Sequence, residues 1–210
     1  IDDSVTVGKL EDILNLQKHM NENGLTTKCD ELVDYLGCRI VFSEDKKKAW
    51  IGQSETVKKL ERLFGEDVKH LRKYTVGGTV GKGVLRPKED EELLNYEEQS
   101  KYRSGVGLLL WLTKTRPDIC NAVRELTKVN GKATEDAMNE MKRIMKFVID
   151  TKDIGLKFEP KFDVNNEGIV WELLAYSDSD WAGDKDNRKS ISGWIIYLLN
   201  CPISFKSRQQ

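Results

Sequence analysis

Two short acidic segments, Asp2-Asp3 at one end of the chain and Asp178-Ser179-Asp180 near the other, are the residues whose type and spacing suit chemistry. Carboxylate oxygens are natural ligands for Mg²⁺, and two such ions about 3.5–4 Å apart can activate a nucleophile and stabilise a leaving oxygen in phosphoryl transfer. Asp2 and Asp3 precede the extended, β-branched segment Ser4-Val5-Thr6-Val7, where adjacent side chains point to opposite sides. One carboxylate can then face an ion while its neighbour supports it. Asp178 and Asp180 lie two apart, so an extended backbone projects both to one face, and the apolar run Trp171–Tyr176 would anchor that strand in a sheet. Either pair alone also fits a solvated turn or a helix cap, and a two-metal centre needs at least one further carboxylate from another strand. Asp184 and Asp186 are read as turn formers beside Asn187.

The remaining composition narrows the choices. Two histidines, His19 and His70, cannot supply half of a zinc site in a familiar spacing. Cys29, Cys38, Cys120 and Cys201 are separated by 9, 82 and 81 positions, which matches neither a Cys-x-x-Cys ligand pair nor a small disulfide scaffold, so an intracellular, reducing environment is expected. Lys and Arg total 34 against 35 Asp and Glu, a formal charge of -1, so contact with a polyanion has to be local. The longest apolar run, Val106–Leu112, falls well short of the roughly 20 residues that span a bilayer, and the charged opening is no signal peptide. No membrane partner is expected. The abrupt ends at Ile1 and Gln210 suggest a fragment.

The elements that must position these residues follow from periodicity. Leu10, Ile13, Leu14, Leu16, Gln17 and Met20 form a helical stripe that Gly24 ends. Leu25–Lys28 suits a short strand. Residues 32–42 and 48–53 flank the charged turn Ser43–Lys47 as a hairpin, and Ser54 caps a helix carrying Val57, Leu60, Leu63 and Phe64. Four glycines at 77, 78, 81 and 83, Pro87 and the run Glu89–Glu92 make 77–98 a linker. Three helices follow, from about Tyr102 to Lys114, from Pro117 through Leu126, and from a Thr134 cap to Asp150. Strands are expected at Ile169–Ala175, Ser190–Leu199 and Ile203–Ser207, an antiparallel meander. On the third helix Lys142, Arg143 and Lys146 share a polar face that could follow a phosphate backbone, and Trp50 and Trp111 could stack on bases. Solvated helix faces and core aromatics give the same patterns.

The order of the motifs carries a resemblance. Ile1-Asp2-Asp3-Ser4-Val5-Thr6-Val7-Gly8 resembles the aromatic-x-Asp-Asp hairpin of reverse transcriptases without its aromatic, and Tyr35-Leu36-Gly37-Cys38-Arg39-Ile40 is similar to the primer-grip region of Ty1/copia retrotransposon polyproteins. Tyr102–Ile119, with Leu112-Thr113-Lys114-Thr115-Arg116-Pro117-Asp118-Ile119, resembles a signature of that class. Tyr176–Asp184 and Arg188-Lys189-Ser190-Ile191-Ser192-Gly193-Trp194 resemble the opening of its ribonuclease H domain.

The resemblance implies an α+β chain: a partial polymerase palm with a β-hairpin over 1–76, the linker 77–98, a helical thumb or connection cluster over 99–160, and a three-stranded antiparallel start of a ribonuclease H-like sheet over 166–210. It implies Asp2, Asp3 and Asp178 as catalytic and metal-ligating residues, two Mg²⁺ per complete site, and a primer–template or RNA–DNA hybrid as substrate. It also implies partners in the missing N-terminal fingers and palm and the missing C-terminal ribonuclease H segments. Without these the isolated chain is expected to have neither polymerase nor nuclease activity. The other reading is a non-catalytic remnant that binds nucleic acid or protein through Lys142, Arg143 and Lys146.

Overall fold

The apolar-rich segments Cys38–Phe42 (β2) and Ala49–Gly52 (β3) pair antiparallel with Ile40 opposite Ile51 and Val41 opposite Trp50, so the expected hairpin forms across its charged turn. The computed structural model describes residues 4–74, 85–161, 164–165, 168–184 and 188–210. Asp2, Asp3, Asp186 and most of the glycine-rich part of the 77–98 stretch lie outside the described residues.

A short strand β1 (Asp34–Tyr35) pairs with β2 through a two-residue turn in which Leu36 (φ 49°) and Gly37 (φ 73°) are both left-handed. On the other side β3 accepts β4 (Leu156–Phe158), giving a four-stranded sheet ordered β1-β2-β3-β4. The sequence pattern does not show β4, because three residues are too few to display a period. Its approach is made possible by Gly155, where a Cβ would collide with the Ile51 carbonyl oxygen and meet the Trp50 ring.

Helix α1 (Leu10–Glu22) forms as its stripe predicts but buries none of its residues. The chain after it is not a strand. Gln17 Nε2 donates to the Thr27 carbonyl at 3.1 Å, and the Thr27 amide donates to Asn21 Oδ1 at 2.7 Å, folding the segment back on the helix end.

The core is helical. Helix α2 (Ser54–Val68) presents Val57, Leu60, Phe64 and Val68; α3 (Tyr96–Leu112) presents Tyr102, Val106, Leu109 and Leu112; α4 (Cys120–Thr127) and α5 (Glu135–Asp150) close the cluster with Val123, Leu126, Met141, Ile144, Met145 and Val148. Each such side chain, removed from water, stabilises by about 1.5–3 kcal/mol. Ser54 is the first residue of α2 and does not cap it. Helix α3 starts earlier than its apolar period suggests because Asn95 and Glu98 form a capping box: the Asn95 side chain accepts from the Glu98 amide at 3.0 Å, and Glu98 accepts from the Asn95 amide at 3.2 Å. Thr134 caps α5 as expected. Within the 77–98 stretch, Leu85 is buried in the helical core, and Leu93 bridges to Thr134.

A two-stranded ribbon, β5 (Val164–Asn165) with β6 (Gly168–Ile169), leads to the second larger sheet. Strands β7 (Leu173–Ser179), β8 (Ile191–Leu198) and β9 (Cys201–Gln209) form the expected meander in the order β7-β8-β9. β7 begins later than its apolar run, which places Asp178 inside the strand. The β8–β9 turn uses Leu199 (φ 49°) and Asn200 (φ 68°), and β9 is irregular opposite Ile196 and Tyr197, where Pro202 enters.

Candidate functional site

Asp178 sits opposite Gly193 in the β7–β8 register, and Gly193 sits opposite Ser207 on β9. The two-residue period puts Asp178 on one sheet face with Tyr176, Ile195, Phe205 and Ser207. That face meets the helical cluster. Arg124 Nε donates to Ser207 Oγ at 3.1 Å, and Ser207 Oγ donates to Asn121 Oδ1 at 3.3 Å. Between sheet and helices lies a cleft of about 510 Å³ lined by Asp118, Cys120 and Asn121 on one wall and by Tyr176, Asp178 and Phe205 on the other.

The Asp178 carboxylate is exposed and makes no hydrogen bond or ion pair with any described residue. Asp180 differs: its carboxylate accepts from the Ile191 amide at 2.7 Å, and its own amide donates to the Ile191 carbonyl at 3.0 Å, so it closes the β7–β8 ladder. Asp118, across the cleft, is engaged by Arg116, whose Nε and Nη2 donate to it at 2.9 and 2.7 Å. Burial, reinforced by the charge of Asp118, pushes the Cys120 thiol up to about 11, so it is a neutral wall residue rather than a nucleophile. Mg²⁺ requires several oxygen ligands in near-octahedral geometry. Among the described residues no three acidic, histidine or cysteine side chains gather in one place, so these residues by themselves do not make a magnesium cage.

The basic face of α5 is occupied by its own helix. Arg143 Nε donates to Glu140 at 2.7 Å while its guanidinium lies over the Tyr74 ring, and Lys146 pairs with Asp150 at 2.6 Å. Lys142 is half-buried. Trp50 is half-buried against Gly52 and Gly155, whereas Trp111 keeps 41% of its surface exposed.

Two features were not read from the sequence as structural. Arg116, only 2% exposed, binds Asp118, donates to the Thr151 carbonyl at 3.1 Å and to Thr151 Oγ1 at 2.9 Å, and lies over the Phe147 ring. The Thr-Arg-Pro-Asp run is therefore a staple between the α3–α4 connection and the end of α5. Asp184, read as a turn former, is almost fully buried and receives Arg86 at 2.6 Å, Lys128 at 3.5 Å and Gln209 at 2.9 Å. The spacing of Arg116 and Asp118 was a usable signal. Nothing local could have paired Arg86 with Asp184.

The class so defined is an α+β protein in which a helical cluster holds an antiparallel sheet bearing an unpaired aspartate. No protein-family model matches the chain, and no solved structure is similar to it. It is 38% identical over 113 residues to the retrovirus-related Pol polyprotein from transposon RE2 of Arabidopsis thaliana, covering 54% of this chain and 7% of that polyprotein. It is 26% identical over 213 residues to the corresponding polyprotein from transposon TNT 1-94 of Nicotiana tabacum, covering 100% of this chain and 15% of the other. A third relative, secreted RxLR effector protein 161 of Plasmopara viticola, is 33% identical over 110 residues, which are 52% of this chain and 72% of that protein. These relatives include Pol polyproteins of Ty1/copia-type retrotransposons, of whose length the chain spans 7 to 15%.

Proposed function

We propose that this chain is the C-terminal part of an RNA-directed DNA polymerase running into the start of a ribonuclease H domain. The supporting observation is the Asp178 strand, an unpaired carboxylate near the end of the first, edge strand of a β-meander that follows a helical cluster and lines a cleft. In this reading the β1–β4 sheet belongs to the palm end, α2–α5 to the thumb and connection, and β7–β9 to the ribonuclease H-like sheet. Asp178 supplies one ligand of an acid set whose other members come from elsewhere in the polyprotein, as Asp2 and Asp3 do for a polymerase site. Mg²⁺, once bound by a complete set, would activate the attacking oxygen and stabilise the departing one. A longer Pol polypeptide carrying this segment should cut the RNA of an RNA–DNA hybrid in a Mg²⁺-dependent manner, and Asp178→Asn should abolish the cut. Cleavage that survives Asp178→Asn overturns the reading.

The effector relative favours a second reading, because the match spans most of that protein. A segment of this kind would then act without catalysis, as a binding module. Hybrid binding or capture of a protein by the 210-residue chain, with no cleavage in any longer context, would establish it.

A further inference from the structure

Trp181, in the turn that follows β7, is 92% exposed and makes no hydrogen bond or ring contact with a described residue. A single apolar side chain in water needs no explanation by itself. What sets Trp181 apart is the rigid backbone that displays it. Before it, the Asp180 amide donates to the Ile191 carbonyl at 3.0 Å and the Asp180 carboxylate accepts from the Ile191 amide at 2.7 Å. After it, the Ala182 amide donates to Ser190 Oγ at 3.0 Å, and Asp184 is held in its buried cluster with Arg86, Lys128 and Gln209. Between these anchors Ala182 takes φ 46°, a left-handed conformation that glycine adopts freely and alanine does not. Strain that the surrounding structure holds in place concentrates at surfaces that bind or react.

The position of the turn says what it would bind. Trp181 lies three residues beyond Asp178, so their Cα atoms are at most about 11 Å apart, the rise of about three nucleotides along one strand. Arg188, on the returning arm of the same turn, is exposed and left-handed at φ 57°, and it holds no carboxylate among the described residues. Its backbone is fixed by an amide bond to the Asp184 carbonyl at 2.9 Å. An exposed indole, an unengaged guanidinium and the unpaired Asp178 carboxylate at one end of the sheet match a stacking surface, a phosphate partner and a metal ligand for one nucleic-acid strand. Trp171 offers the contrast: 68% exposed, it stands near the other end of β7, roughly 20 Å from Asp178.

We infer that Trp181 holds an RNA–DNA hybrid in place at Asp178, its indole packing on a base or sugar near the bond to be cut while Arg188 meets a phosphate. This rests on the ribonuclease reading and adds to it a contact residue that metal ligation does not require.

The test uses the longer Pol polypeptide and initial rates of Mg²⁺-dependent cleavage over a range of hybrid concentration. Trp181→Ala should raise KM about tenfold with kcat within about twofold of wild type, and Trp181→Phe should bring KM back to within about threefold. Arg188→Ala should raise KM and reduce the salt slope of hybrid binding by about one. Trp171→Ala should change neither constant. A hybrid carrying 5-bromouracil near the cut should photocrosslink to the peptide containing Trp181. A Trp181→Ala variant with unchanged KM, or with kcat alone reduced, overturns the contact and leaves the ribonuclease reading standing. A wild-type polypeptide that leaves the hybrid intact, or cleavage that survives Asp178→Asn, overturns both. Circular dichroism melting of Trp181→Ala should match wild type, and a raised KM that comes with a lost melting transition also overturns the contact.

Discussion

Arg86 Nη2 donates to Asp184 Oδ1 at 2.6 Å and joins residues 98 positions apart, with the Asp184 side chain only 2% exposed. Lys128 and Gln209 reach the other carboxylate oxygen, so the turn after β7 is tied at once to the segment entering the helical core, to the chain just after α4 and to the end of β9. The sheet bearing Asp178 is thereby clamped to the helices. Removing one partner of such a buried group leaves the others uncompensated. Asp184→Ala is expected to lower stability by about 3 kcal/mol, read by urea denaturation. A double-mutant cycle with Arg86→Ala should show coupling of about 1 kcal/mol or more. Independent, additive effects would contradict the clamp.

Arg116 gives a second, chemically distinct expectation. Its planar fork serves Asp118 and Thr151 together, a geometry that lysine cannot reproduce. Arg116→Lys should therefore destabilise nearly as much as Arg116→Ala, by about 2–4 kcal/mol. A lysine variant with wild-type melting behaviour would show that charge alone suffices.

Two of the close-packed glycines, Gly155 and Gly105, should behave differently. At Gly155 an added methyl meets the Ile51 backbone carbonyl and the Trp50 ring, neither of which can withdraw without disturbing β3. At Gly105 it meets the Met141 sulfur at 2.6 Å and the Met145 methyl at 2.5 Å, both near the ends of flexible side chains. Gly155→Ala is expected to cost about 2 kcal/mol or more, and Gly105→Ala clearly less, because better helix propensity offsets part of the crowding. Thermal melts of the two variants check the order.

Much of this fold was legible because its elements are long and their apolar period is clean. The helices around Leu60, Val106, Val123 and Ile144, the hairpin with Ile40 opposite Ile51, and the β7–β9 meander all follow from local pattern. What the sequence concealed is non-local or short. β4 has three residues; the Asn95–Glu98 box lies in a polar stretch that composition marks as linker; and the burial of Asp184 depends on partners 98 and 56 positions away. The candidate site divides the same way. Asp178 could be singled out from its neighbours, but the roles of Asp180 as a strand-end acceptor and of Arg143 and Lys146 as in-helix ion pairs depend on side-chain geometry that spacing leaves open.

Glu159 provides a pH signature. Hydrogen bonds from Lys157 and then Lys48 hold its carboxyl down to about 2. A carboxylate whose folded value is depressed stabilises the fold above its unfolded value of about 4.3, and that contribution is lost as pH falls toward the folded value. The Glu159 side chain is 29% exposed and its lysine partners more so, so solvent screening keeps the effect on stability small, and the titration itself is the useful readout. NMR should place the Glu159 midpoint near 2, and Lys157→Ala together with Lys48→Ala should return it to the ordinary carboxylate range. An unchanged midpoint in the double variant would remove the lysines as its cause.

The central claim is that Asp178 is one wall of a metal cage completed by other segments of a Pol polyprotein, and anomalous diffraction from a longer Pol polypeptide soaked in Mn²⁺ tests it most directly. The account predicts a manganese peak within ligand distance of the Asp178 carboxylate, about 2.0–2.3 Å, shared with acidic side chains from outside this chain. A complete ribonuclease H-like domain in which Asp178 faces no metal and no further carboxylate would contradict it.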